Sequence, residues 1–193
     1  DNIELYAKSA VHYPDSFKVY LQGDVIMYHQ SDSLFCNEFI LYDQELKKFT
    51  ALGDISYYKD SQLLKAQTLK YTTLDENNNI FLEIINNASI QDSLRTIQGD
   101  SIHTQYQDSI IKNIKVKKNA EVINYRYAKV DSLSKRQIFE DHLKSKNMNV
   151  DFNNGELSYL ELLGMSITKF NVIRDSLING INNTSGDSIL IHM

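Results

Sequence analysis

The sequence contains one cysteine (Cys36), one proline (Pro14), no tryptophan and seven glycines in 193 residues. A lone cysteine excludes an intramolecular disulfide framework and makes a thiolate zinc cluster implausible. No apolar stretch approaches the roughly 18 uninterrupted residues that a membrane-spanning helix requires. No excess of basic charge is present either. The 20 Lys and Arg are outnumbered by 25 Asp and Glu, for a net charge of -5, and the charges are dispersed along the sequence, so nucleic acid is not an expected partner. The opening residues Asp1-Asn2-Ile3-Glu4-Leu5 lack the basic start and apolar run of a signal peptide. Any such peptide is therefore already removed or was never there, and export stays open.

Chemical motifs are also missing. His-Glu-x-x-His, Cys-x-x-Cys, Gly-x-Ser-x-Gly and Gly-x-x-x-x-Gly-Lys do not occur. The histidines at 12, 29, 103, 142 and 192 are spread out, and no two are spaced to present a metal from one element. Cys36 aligns with Ala66 and Gly99 in neighbouring repeats, and interchange with such residues argues for packing rather than nucleophilic chemistry. No catalytic residue, metal or cofactor is expected. Nine Asp-Ser pairs, from Asp15 to Asp187, read as turns entering strands, because both side chains bond nearby backbone N–H groups. A calcium reading competes, but neither the glycine-rich nonapeptide nor the EF-hand spacing is present.

What the chain does have is 42% apolar residues, 12 tyrosines, eight phenylalanines and a repeat. Apolar residues alternate through a small residue in Phe17-x-Val19-x-Leu21-x-Gly23-x-Val25-x-Met27. The pattern returns around Gly53, Ala88, Ala120 and, more loosely, Gly164. The period of two marks β-strands, and the recurrence at 30 to 44 residues marks units that cannot bury an apolar face alone. A second element, such as Cys36-Asn37-Glu38-Phe39 or Ala66-Gln67-Thr68-Leu69, reads as the opening of a further strand. Its offset of 13 from the first element is shared by the first two full units and leaves room for a hairpin. In the fourth unit extra length falls at about 126–141, read as a protruding loop or short helix. Asn77-Asn78-Asn79 and Asn153-Asn154-Gly155 read as hairpin turns. Val25 to Tyr28, Phe39 to Tyr42 and Ile80 to Leu82 are apolar at both parities. Such strands are either covered on both sides or border an interior wide enough for an apolar ligand.

Leu21-Gln22-Gly23-Asp24-Val25, then Leu34-Phe35-Cys36-Asn37, then Leu52-Gly53-Asp54-Ile55 resemble the OstA-like family, which is related to the periplasmic lipopolysaccharide transport protein LptA. The ordered series covers nearly the whole chain, closing with Gly186-Asp187-Ser188-Ile189, and is strongest in the first two units. The insertion at 126–141 and Lys118 in an apolar slot depart from the pattern. The resemblance implies an all-β fold: a twisted, open β-jellyroll of repeated antiparallel strand units, a single domain over 1–193 that can belong to a longer chain. It implies a non-enzymatic periplasmic domain that shields lipopolysaccharide acyl chains on the way to the outer membrane. Its expected partners are lipopolysaccharide, other β-jellyroll bridge components and further copies joined end to end.

The alternation selects Val19, Leu21, Val25, Met27, Ile55, Tyr57, Leu69, Ile84, Ile90, Ile102 and Val122 as groove residues, although a slip of one residue would select the opposite face. The unguarded terminal strands select Ile3, Leu5, Ile189 and Ile191 as contacts between copies. A structural or adhesive β-repeat without a lipid groove is the alternative reading, and a β-jellyroll hydrolase, for which no motif speaks, ranks last.

Overall fold

The computed structural model describes residues 3–16, 18–43, 48–59, 61–73, 79–108, 110–153 and 156–192. Phe17, Asp60 and the expected turn residues Asn77, Asn78, Asn154 and Gly155 lie outside them. Twelve strands form one antiparallel sheet. They are β1 (Ile3–Tyr6), β2 (Ser9–Tyr13), β3 (Lys18–His29), β4 (Asp32–Asp43), β5 (Lys48–Lys59), β6 (Gln62–Thr73), β7 (Ile80–Gln91), β8 (Arg95–Gln107), β9 (Ile110–Ala128), β10 (Gln137–Asn153), β11 (Glu156–Arg174) and β12 (Leu177–His192). From β3 onward each strand pairs with the next in sequence, while β1 and β2 share the outer edge of β3.

The recurring small residue marks a β-bulge repeated at one level across the sheet. In β3 and β4, Gln22 pairs with Glu38 and Val25 with Cys36, so Gly23 and Asp24 face the single residue Asn37. Two residues opposing one bends a strand and increases its twist. Both bulged residues have positive φ in every odd-numbered strand from β3 to β11: Gly23-Asp24, Gly53-Asp54, Asn86-Asn87, Lys118-Asn119 and Gly164-Met165. This moves the alignment made from sequence. Ala88 and Ala120 are not the counterparts of Gly23; Asn86 and Lys118 are, and the two alanines occupy the buried position held by Val25 and Ile55. Lys118 is exposed and fills a left-handed backbone position rather than an apolar slot.

The copy at 7–10 opens a strand, β2 starting at Ser9, but the later copies lie mid-strand. The element sits opposite the bulge and supplies polar partners to it. Lys8 Nζ meets Asp24 Oδ2 at 2.5 Å, Gln67 Nε2 donates to Asp54 Oδ1 at 3.0 Å, and Asn119 Nδ2 donates to Asp100 Oδ1 at 2.9 Å. Lys118 N donates to Asn147 Oδ1 at 3.1 Å. At Gly53 (φ +74°) an added Cβ would sit 2.6 Å from Asn37 Nδ2 and 3.1 Å from Asn37 Cβ. Gly53→Val is therefore expected to cost about 1–3 kcal/mol. Gly53→Asn, which copies the residue at 86, should cost clearly less. Urea titration measures both, and equal stability of the two variants would contradict the bulge assignment.

The bulge line folds the sheet into two facing arms. Tyr106 stands level with Ile80, and Ile80 with Thr73, so in a flat sheet it would lie about 35 Å from Gln62 at the other end of β6. Yet Tyr106 Oη donates to Gln62 Oε1 at 3.1 Å, and Lys59 Nζ lies 5.9 Å from the Tyr106 ring centre.

At 126–141, where a loop or short helix is expected, β9 and β10 continue to Ala128 and from Gln137, and only 129–136 connect them. Lys129 N donates to Ser176 O and Ile178 N to Lys129 O, each at 2.9 Å. The end of β9 thereby touches the start of β12, curling the arm round at this end. Of the Asp-Ser pairs, Asp92 and Asp131 cap turns, each carboxylate accepting from the backbone N–H groups two and three residues on. Asp32 opens β4 directly after a turn, whereas Asp100 and Asp187 lie within strands.

Candidate binding cleft

The inner faces of the arms carry the core. Strict alternation places Leu21, Val25 and Met27 inward on β3 while Lys18, Gln22 and Tyr28 face water, which decides the parity. The proposed groove residues share this inner face. Leu21, Val25, Met27, Ile55, Tyr57, Leu69, Ile84, Ile90 and Ile102 are buried in one cluster, and Val19 and Val122 pack against it. The apolar residues of opposite parity, such as Ile26, Ile40 and Phe81, are half-buried on the outer face. Outer aromatics there pair sideways, Phe35 with Tyr58 at 6.1 Å and Tyr6 with Tyr28 at 6.2 Å between ring centres. Apolar character on both faces thus reflects lateral contacts and reports no interior width.

The interior differs along its length. Between β3 and β6 it is filled: Phe39 and Phe49 rings lie 5.0 Å apart, and Phe49 stacks on Tyr71 at 4.8 Å. Facing Met27 and Tyr57, they leave a space of about 10 Å³, no more than one water. Toward β8–β11 the facing side chains are mostly aliphatic and the arms do not close. A cavity of about 270 Å³ remains, lined by Ile97, Val122, Leu143, Phe170, Val150, Phe152 and Leu160, with Arg95 and Asn124 as its polar members. Of the eleven residues chosen from sequence, only Val122 lines it; Met27 and Tyr57 border the filled space, and the others pack into the core.

A polar cluster lies beside this cavity, one strand on from Asn124, the partner of Asp141 in the β9–β10 register. Asp141 is 1% exposed. Its Oδ2 meets Arg126 Nε at 2.6 Å, and its Oδ1 accepts from Asn171 N at 2.7 Å and Asn171 Nδ2 at 3.0 Å. Arg126 also donates to the Asn171 carbonyl. The paired register of β10 and β11 stops at His142 and Lys169, and the Asp141 carboxylate takes the backbone donor freed there.

Cys36 sits in the core beside a bulge, paired with Val25, where burial pushes its thiol pKa up to about 12. Thiol reagents at pH 8 are expected to label Cys36 only after denaturant is added, and rapid labelling of the native chain would contradict a packing role. Among the described residues no three His, Cys, Asp or Glu side chains gather as a metal site. No helix among them is long and apolar enough to cross a membrane.

Ile3, Leu5, Ile189 and Ile191, chosen as contacts between copies, are partly buried against the core. At the two ends of the sheet β1 and β2, and β12 beyond its contact with Lys129, have no further strand of this sheet on their outer side among the described residues.

A single sheet folded at a line of bulges, apolar within and open at its ends, is an open β-jellyroll of the LptA-like kind. In comparisons with known proteins, no family model and no curated protein matches the chain. Among solved structures it is similar to LptH of Pseudomonas aeruginosa, described as the LptA-homologous periplasmic component of the conserved lipopolysaccharide transport device. That similarity has a TM-score of 0.51 at 17% identity and covers 72% of this chain and 93% of the other. The chain has the LptA-like fold.

Proposed function

We propose that the chain is a non-enzymatic periplasmic carrier domain that shields lipopolysaccharide acyl chains between its arms during transport to the outer membrane. It works beside other β-jellyroll bridge components, and copies join end to end through the edge strands that carry Ile3, Leu5, Ile189 and Ile191. The observation that carries this reading is the apolar cavity of about 270 Å³ between β8 and β11. Each methylene moved into it from water gains roughly 0.8 kcal/mol, and no reactive group is needed. The alternative, a structural or adhesive β-repeat, draws on the filled interior between β3 and β6, where the remaining space is about 10 Å³.

Photocrosslinking separates the two readings. A crosslinker at Val122 or Phe152 is expected to capture lipopolysaccharide in cells, while one at the outward-facing Met165 is not. Equal labelling from all three positions, or none from any, would favour the scaffold reading.

A further inference from the structure

The cleft's capacity and its polar members narrow the ligand beyond a lipid in general. An apolar cavity of roughly 150 Å³ admits a six-carbon ring, so about 270 Å³ holds on the order of ten carbons, one acyl chain rather than several. Filling continues apolar contact on both arms, from Val122 and Leu143 on one and Val150, Phe152 and Leu160 on the other.

Arg95 is the one charged residue that lines the cavity, and its bonding is incomplete. Its Nε is buried and makes no hydrogen bond, only a 3.4 Å ion-pair contact to Asp92 Oδ2, while the Arg95 side chain is 41% exposed. Asp92 Oδ1 is engaged by Leu94 N and Arg95 N at 2.8 Å each, and only Asp92 Oδ2 faces the guanidinium, on its Nε side. The nearby Arg126 is committed to Asp141 and the Asn171 carbonyl. The guanidinium of Arg95 thus remains available at the polar end of an apolar slot, next to Asn124, its partner in the β8–β9 register.

Resting on the carrier reading above, we propose that this cleft takes a single acyl chain of a lipid with an anionic group, carboxylate or phosphate, at its head, which Arg95 holds through charge-assisted hydrogen bonds. A planar guanidinium suits either oxyanion.

Calorimetry on the full chain, with decanoate, decyl phosphate and decanol as probes, tests this, with lipopolysaccharide measured alongside. One or both anionic probes should bind on the order of ten-fold more tightly than decanol, and their ratio tells carboxylate from phosphate as the preferred head. Arg95→Gln should bring the anionic probes down to the decanol level, and Val122→Trp should abolish binding of all three. Equal affinity for the three probes in the unmodified chain, or a preference that survives Arg95→Gln, would overturn the assignment while leaving the carrier reading intact. Failure of every probe and of lipopolysaccharide to bind would remove both.

Discussion

Asp141→Ala is expected to lower the unfolding free energy by about 2–4 kcal/mol, because it strips a buried backbone N–H of its acceptor and a half-buried guanidinium of its counter-charge. The carboxylate is 1% exposed and collects one contact from Arg126 Nε and two donors of Asn171. Its loss leaves the Asn171 backbone N–H unmet in the protein interior, where an unmet group costs far more than the net value of the bond it made, and takes the counter-charge from Arg126, which is 36% exposed and keeps the Asn171 carbonyl. The position matters as much as the burial, because β10 and β11 part beyond His142 and Lys169 and Asp141 bridges the gap. Urea titration at constant slope gives the number. Arg126→Met combined with Asp141→Leu should cost less than Asp141→Ala alone, since no charge is stranded. A loss under about 1 kcal/mol, the value of a surface pair, would show that water reaches the cluster.

The second large effect is expected at the opposite end of the interior. Asp32 Oδ2 accepts from Tyr57 Oη at 2.6 Å and lies 3.4 Å from Lys59 Nζ, with the Lys59 and Asp32 side chains only 9% and 11% exposed. Asp32→Ala strands the ammonium against the Tyr106 ring and leaves the phenol unbonded, so a loss of about 3–5 kcal/mol is expected. Because Lys59 and Tyr106 belong to facing arms, the variant should also loosen their closure. Hydrogen exchange should therefore quicken in β5 and β8 ahead of global unfolding. Protection unchanged in both strands, together with a loss below about 1 kcal/mol, would place the cluster outside the structural core.

Burial, together with the nearby Asp32 carboxylate, also holds the Tyr57 phenol well above its ordinary pKa of 10.0. The unfolded chain releases this proton near pH 10 and the folded chain retains it, so the stability the neutral phenol contributes is complete below pH 10 and falls as pH rises beyond.

Much of the fold was legible because strand alternation is local. Leu21, Val25 and Met27 sit two and four residues apart, and a period of two puts them on one face wherever the strand lies. The bulges were visible only as small residues, since glycine signals positive φ but the same conformation at Asn86-Asn87 and Lys118-Asn119 wears other side chains. That is why Ala88 and Ala120 drew the alignment off by two residues. The length at 126–141 was read as a loop because Arg126 to Asp141 is dense in charge. Two of those charges, Arg126 and Asp141, are spent on the cluster with Asn171, while Asp131, Lys135, Arg136 and Glu140 stay exposed.

The cleft was the least legible part. By itself the sequence determined a repeated antiparallel β-structure, which residues share its inner face, and that no known catalytic motif accompanies it, all properties of spacing within a strand. Only the tertiary structure decided where that face is filled and where it is open. Phe39, Phe49 and Tyr71 close one end of the interior, while Val122, Leu143, Val150 and Leu160 leave about 270 Å³ at the other. Side chains that meet across the arms belong to strand ends tens of ångströms apart in a flat sheet, so their fit depends on the fold at the bulges, which no local pattern records.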